Sequence, residues 1–245
     1  MPAQPPALEL KDVRKSFGGI RAVDGVSLRV ATGDRVAVIG PNGAGKSTLF
    51  GLISGVLRAD GGEVLLAGGS MRGVAPARRA RLGLGQTFQT ARLFAGLSVR
   101  ENVELARVAA GCGKDGVHDA LAEVGLGGDV ERGASVLAQG ERRRLELAMV
   151  LAGEPRVLLL DEPTAGMGGE ERAEIMELVV GVIARRGLTM VFTEHDMDTV
   201  FAYAQRVVVM DRGKPIADGT LEAVRSDERV RRVYLGGGEV SAGGV

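Results

Sequence analysis

The sequence predicts an α/β fold with a largely parallel sheet and a small helical insertion, and three observations carry that prediction. Short apolar runs alternate with helical stretches along most of the 245 residues, the pattern of a sheet crossed by helices. One of these runs, Arg35–Ile39, ends directly in a glycine-rich loop that opens a helix over Lys46–Ser54. Between residues 94 and 133 helical patterning replaces the strand pattern, as a compact insertion would produce.

The elements follow in order. Leu8–Phe17, residues 26–30 and Arg35–Ile39 read as strands separated by glycine-containing turns. Asp60-Gly61-Gly62 reads as a turn leading into a strand over residues 63–66. Ser98 caps a helix over residues 99–109, with Glu101 three positions on as its capping-box partner. After Gly111-Cys112-Gly113, residues 118–124 and 141–151 add further helix. The strand-helix alternation resumes with a buried strand over residues 157–160, a helix over 170–186, a strand over 188–192, a short helix and a strand over 206–210. Residues 221–234 read as one helix with Thr220 as N-cap, and the glycine-rich end, residues 235–245, reads as flexible. These boundaries divide the chain into residues 1–93, the N-terminal part of a core, 94–153, a helical subdomain, 154–220, the rest of the core, and a tail, 221–245.

Composition narrows the function. Lys+Arg and Asp+Glu balance at 31 each, which argues against non-specific nucleic-acid binding, and the run Arg142-Arg143-Arg144 reads as helix surface. No stretch approaches the roughly 18 apolar residues of a membrane span, so any service to a membrane comes from the side. The N-terminus lacks the basic and apolar regions of a signal peptide, and the single cysteine, Cys112, has no partner for an internal disulfide. A cytoplasmic setting is expected.

The loop Gly40-Pro41-Asn42-Gly43-Ala44-Gly45-Lys46-Ser47, followed by Thr48, fits the pattern in which backbone amides and a helix N-terminus surround phosphate oxygens. Lys46 is a point charge for β- and γ-phosphates, and the Ser47 hydroxyl suits Mg²⁺, with Thr48 as a helper. A dinucleotide loop is the poorer reading, because its fingerprint lacks the lysine. Far along the chain, an apolar strand delivers Asp161 and Glu162 to its open end. As neighbours in a strand they are expected to point in different directions and take different tasks: Asp161 acts through Mg²⁺ or its water, and Glu162 polarises an attacking water. Pro163 is expected to stop the strand. His195, after another apolar strand, reads either as a structural hydrogen-bonding group or, at the end of an ATPase strand, as a sensor of γ-phosphate.

Taken together, these pieces resemble the ATP-binding-cassette superfamily. The matching stretches are the loop from Gly40, Gln89 in Thr87-Phe88-Gln89, Leu137-Ala138-Gln139-Gly140-Glu141, Asp161-Glu162, Ala165-Gly166-Met167-Gly168 and His195. They keep the family's order over nearly the whole chain, and that ordered set is far more specific than a phosphate loop alone. The resemblance implies a P-loop NTPase fold with a mainly parallel sheet, an antiparallel β portion and the helical subdomain as an insertion. It implies ATP and Mg²⁺ as ligands and a head-to-tail dimer with a second ATP-binding subunit, identical or different. In that dimer residues 137–141 of one subunit, Ala138, Gly140 and Glu141 among them, cover the ATP of the other.

Further roles come from the resemblance alone. Phe17, otherwise a core or turn aromatic, stacks on adenine, and Gln89 contacts Mg²⁺ or water and links the site to the inserted helices. Those helices receive a coupling helix from one of two transmembrane permease subunits. Many members carry serine and glycine where this chain has Ala138 and Gln139; loss of the serine hydroxyl would weaken closure by roughly 1 kcal/mol. Thr87-Phe88-Gln89-Thr90-Ala91-Arg92-Leu93-Phe94, the altered signature and Val230-Arg231-Arg232-Val233-Tyr234-Leu235-Gly236 look most like the branched-chain amino-acid uptake branch. That branch adds an extracytoplasmic substrate-binding protein. Urea or amide importers, exporters and regulatory ATPases of the same fold are the alternatives, and no nucleic acid is expected.

Overall fold

The computed structural model describes residues 4–89, 91–113, 115–128 and 130–235. Thr90 and the glycine-rich end beyond residue 235, predicted above to be flexible, lie outside the described residues. The chain opens with β1 (Leu8–Phe17) and β2 (Ile20–Val30), then β3 (Arg35–Ile39), the phosphate loop and α1 (Lys46–Ser54). β4 (Gly61–Leu66), β5 (Gly69–Ser70), α2 (Pro76–Arg81) and β6 (Leu84–Thr87) follow. A helical block holds α3 (Val99–Ala110), α4 (Val117–Glu123) and α5 (Gln139–Leu151). The chain then runs through β7 (Val157–Asp161), α6 (Gly169–Arg186), β8 (Thr189–Thr193), α7 (Met197–Tyr203), β9 (Arg206–Asp211) and β10 (Lys214–Gly219). It ends in α8 (Leu221–Ser226) and α9 (Glu228–Leu235).

Two sheets result. One is antiparallel, in the order β2-β1-β4-β5, and the other runs β10-β9-β3-β8-β7-β6. In the larger sheet the pairs from β9 to β6 are parallel, and β10 adds an antiparallel edge. Alternation along the central strands explains why both faces are apolar. Val36, Val38, Val157, Leu159, Val208 and Met210 pack with the antiparallel sheet and α1, whereas Ala37, Ile39, Leu158, Leu160, Val207 and Val209 pack with the helices on the other side. A parallel strand covered on both faces reads as a continuous apolar run, and Leu158-Leu159-Leu160 is such a run. Each fully buried side chain of this size contributes about 1.5–3 kcal/mol.

Several predicted boundaries change. The strand expected over residues 26–30 is the end of the longer β2, which pairs with β1 from Phe17↔Ile20 to Leu8↔Val30. Gly61 and Gly62 belong to β4 rather than to a turn. The β1–β4 register slips between Lys11 and Arg14, and Gly62, at φ 76°, takes up the irregularity where a Cβ would lie 2.2 Å from the Asp12 carbonyl. The helix expected over residues 221–234 is two helices, because Asp227 is extended and turns its carboxylate onto Arg229. β5, α2, β6 and β10 have no counterpart in the sequence reading; each is short or, like β10, mixed in polarity.

The helical block follows its sequence signals closely. Ser98 Oγ accepts from the Glu101 amide at 3.2 Å, and Glu101 Oε2 accepts from the Ser98 amide at 2.7 Å, so both arms of the capping box are present. Asn102, fully buried, donates to the carbonyls of Phe94 and Ser98 and accepts from the Phe94 amide, which anchors the entry to the block. α5 packs against α3 and α4, and its Leu145 and Leu151 are fully buried. Ser98→Ala is expected to lower stability by about 1 kcal/mol, since it removes one arm of the box and leaves the other. A chemical-denaturation midpoint shift with unchanged slope measures it.

Candidate active site

The parallel register of the larger sheet sets the positions of the chemistry-bearing side chains. β3, β8, β7 and β6 are neighbours in that order, and their C-terminal ends lead into the phosphate loop, His195, Glu162 and Gln89 respectively. Strands in a sheet lie about 4.8 Å apart, so groups leaving adjacent ends fall within side-chain reach. They meet on Glu162. Gln89 Nε2 donates to Glu162 Oε2 at 2.8 Å, and His195 Nε2 lies 2.7 Å from Glu162 Oε1.

The two carboxylates diverge for a reason other than simple strand alternation. β7 ends at Asp161, one residue before the point where Pro163 was expected to stop it, and Glu162 occupies the left-handed region at φ 48°. For a residue with a full side chain such a conformation costs on the order of 1 kcal/mol and needs support from its surroundings. Thr193 at the end of β8 provides that support. Its hydroxyl donates to Asp161 Oδ1 at 2.7 Å and accepts from the Glu162 amide at 3.0 Å, so one side chain sets both acids.

The phosphate loop is built around Lys46. Its ammonium is buried and donates to the Gly40 carbonyl at 2.6 Å and to the Pro41 carbonyl at 3.2 Å. Burial draws the Lys46 pKa below its ordinary range, and the negative charges of Glu162 and Asp161 oppose that shift. Gly45 stands at φ 102°, where a Cβ would be 2.2 Å from the Ala22 carbonyl, so only glycine closes the loop against β2. Gly213, in the turn joining β9 to β10, donates to the Ala44 carbonyl at 2.9 Å and braces the loop from behind. No side chain caps α1, which leaves its first amides, beside Lys46, directed at an anion. Asn42, Gly43 and Ser47 are exposed, and Thr48 is half-buried. The Ser47 hydroxyl, the Asp161 carboxylate and the Gln89 amide are oxygen donors of the kind a hard divalent cation takes. Among the described residues no three acidic, histidine or cysteine side chains form a cage, so such an ion would draw its remaining ligands from phosphate and water.

Phe17 is not a core aromatic. It ends β1 at 47% exposure, with the Lys15 ammonium 5.3 Å from its ring centre, and so presents an open ring face at the hairpin tip. Ala138, Gly140 and Glu141 lie at the start of α5, in a separate group from Lys46, Glu162 and His195. Glu141 is bonded within its own chain. One of its oxygens accepts from Arg132 at 2.7 Å and the other from Arg132 at 2.6 Å and the Ala138 amide at 2.8 Å, which caps the helix. These bonds, the Arg132 one above all, hold its carboxyl below the usual range. Gln139 Nε2 donates to the Ala165 carbonyl at 3.2 Å, which ties the signature to residues 165–168 within one chain.

Sequence reasoning passed over several groups that support the site. Glu194 is buried and accepts from the Thr164 amide at 3.0 Å, the Thr164 hydroxyl at 2.7 Å and the His195 amide at 3.3 Å, so it fastens the loop after Glu162 to the loop bearing His195. Arg172 of α6 pairs with Asp196, whose carboxyl is held below its ordinary range first by the Thr199 amide. The run Arg142-Arg143-Arg144 is not uniformly surface either: Arg142 is exposed, but Arg143 is buried.

Comparison with known proteins agrees with this geometry. Residues 23–165 match the family model described as ABC transporter, and residues 214–240 match the one described as branched-chain amino acid ATP-binding cassette transporter. The chain is 36% identical over 250 aligned positions to the high-affinity branched-chain amino acid transport ATP-binding protein BraF of Pseudomonas aeruginosa, covering 94% of this chain and 98% of that protein. It is 35% identical, with the same coverage, to the corresponding protein LivG of Escherichia coli. Among solved structures, an ATP-binding cassette of an ABC transporter in its ADP conformation superposes with a TM-score of 0.86 at 30% identity, covering 94% of this chain and 98% of that one. The likeness to these relatives runs over almost the whole length, and the chain belongs to the ABC transporter family as an ATP-binding, ATP-hydrolysing subunit.

Proposed function

We propose that this subunit powers the import of branched-chain amino acids through separate permease subunits, fed by an extracytoplasmic binding protein. The observation that supports the cargo class best is the match of residues 214–240 to the branched-chain model, because that segment lies outside the general ATPase machinery. No helix among the described residues is long and apolar enough to cross a membrane, so the pathway itself belongs to partner chains. An apolar groove of about 290 Å³ between α2, α3, α5 and β6, lined by Ala77, Ala80, Phe88, Ala106, Met149 and Val150, is the surface we assign to the permease. The helical block, residues 94–153, is the unit that moves with it.

Hydrolysis follows from the groups around Glu162. Phe17 stacks on the adenine of ATP, and Gly40, Asn42, Gly43, Ala44, Gly45 and Thr48 enclose its phosphates together with Lys46 and Ser47. Ser47, Gln89 and Asp161 are the residues that would hold Mg²⁺, which would supply neutralising charge for the phosphate oxygens. Closure with a second ATP-binding subunit brings that subunit's Ala138 and Gly140, at the N-terminus of α5, against the γ-phosphate; with no serine hydroxyl at residue 138, backbone amides carry the contact. Glu162 then accepts the proton of the attacking water, and His195 and Gln89 orient Glu162 and contact the γ-phosphate or its water. Catalysis here is positioning and electrostatic stabilisation for in-line attack. Release of phosphate removes the ligand shared by the two subunits and lets them part.

Three measurements test the reading. Co-purification from the native membrane is expected to recover branched-chain amino-acid-type permeases; a soluble regulatory complex in their place would refute the transport role. Glu162→Gln is expected to bind MgATP as tightly as the parent while phosphate release in the assembled transporter falls by about 100-fold or more. Unchanged turnover removes Glu162 from the role of base. Lys46→Ala is expected to weaken equilibrium MgATP binding, since it deletes the only buried ammonium of the loop; full affinity and full activity rule out the phosphate site.

A further inference from the structure

Against the chain just after β6 lies a buried ion pair that the hydrolytic scheme above does not use. Arg143 and Glu146 lie one turn apart on α5, their side chains 8% and 5% exposed, and Arg143 Nη1 is 2.9 Å from Glu146 Oε2. Both also grip the chain just after β6. Arg143 Nη1 donates to the Phe88 carbonyl at 2.5 Å, Arg143 Nη2 donates to the Gln89 carbonyl, and Glu146 Oε1 accepts from the Phe88 amide at 3.0 Å. Two successive residues, Phe88 and Gln89, are therefore held through their backbone by two side chains of one helix. Gln89 in turn donates its side-chain amide to Glu162 at 2.8 Å.

A buried charge pair is an expensive way to add stability, because desolvation consumes most of the Coulombic gain and apolar packing does as well. Directional hold is what it provides that a leucine cannot. The planar guanidinium spans two carbonyls at fixed angles, and a lysine ammonium has no such fork. The held segment also carries the Phe88 ring, which lines the apolar groove and stacks under the Arg92 guanidinium at 3.9 Å. From the groove and from α5, one continuous set of short contacts leads to the carboxylate of Glu162.

We infer that Arg143 and Glu146 are positioning residues for hydrolysis: they clamp the Phe88-Gln89 backbone to α5, so that the placement of α5 decides whether Gln89 holds Glu162 in line for attack. The inference rests on the reading of Gln89 and Glu162 given above. Because α5 begins at the residues assigned to the other subunit's ATP, the clamp makes each hydrolytic site sensitive to the occupancy of the opposite one.

The test is a double-mutant cycle on the transporter assembled with its membrane subunits, with kcat and KM for MgATP and the melting temperature as readouts. Arg143→Lys keeps the charge but loses the fork. It is expected to lower kcat about tenfold with KM for MgATP within about twofold of the parent, as loss of alignment rather than of binding does. Gln89→Ala is expected to lower kcat as well, and the double variant to be no slower than Gln89→Ala alone. Glu146→Gln, which retains an acceptor for the Phe88 amide, serves if Arg143→Lys does not assemble, and the same pattern is expected of it. An unchanged kcat, a loss that multiplies in the double variant, or a rise in KM without a fall in kcat overturns the inference. If Gln89→Ala alone has no effect, the assignment of Gln89 falls together with the clamp; if Gln89→Ala is slow but the clamp variants are not, the clamp alone falls.

Discussion

The structure depends on the parallel pairing of β6, β7 and β8, because that register alone brings residues 89, 162 and 195 to one carboxylate. None of the three is near another in sequence, and none of the contacts on Glu162 is made within a single element. Thr87↔Leu160 and Asp161↔Thr193 are the last paired positions, so the strands finish nearly level and their next residues share one edge. A slip of one residue in any of these strands would exchange its two faces, moving Leu158 and Leu160 out of the helical layer as it moved Glu162 away from His195. Core packing and active-site geometry are thus held by the same pairing.

Around that edge, polar groups are fixed by buried hydrogen bonds more than by ion pairs on the surface. Thr193 serves both acids, Glu194 holds the loop that follows them, and Arg143 with Glu146 holds the segment that precedes Gln89. Each of these donors or acceptors is enclosed, where loss of a partner leaves a polar atom unsatisfied at a cost of about 1–3 kcal/mol. Exposed pairs such as Arg14 with Asp12 contribute much less.

Much of this was legible in the sequence because the signals are local. The capping box at Ser98 and Glu101, the apolar run before Asp161 and the loop from Gly40 to the helix at Lys46 each occupy a few consecutive residues whose chemistry has one common outcome. Short edge elements such as β5 and β10 were not legible, because strand identity there comes from the neighbour they pair with rather than from a hydrophobic pattern. The roles of Thr193, Glu194 and Arg143 escaped for a related reason. A threonine, an acid or an arginine is ordinary in sequence, and only burial against a distant segment gives it work to do. Glu141 joins them: its bonds to Arg132 and the Ala138 amide are visible only in the folded chain.

The left-handed backbone at Glu162 carries a consequence for how such a chain tolerates change. Glycine or asparagine adopts that conformation more readily, so drift toward a more relaxed backbone at this residue would make the fold more robust and, on the proposed role of Glu162 as base, the ATPase inert. Residue 162 is therefore a place where thermostability and turnover are opposed, and a screen that rewards heat resistance alone would tend to erase the motor.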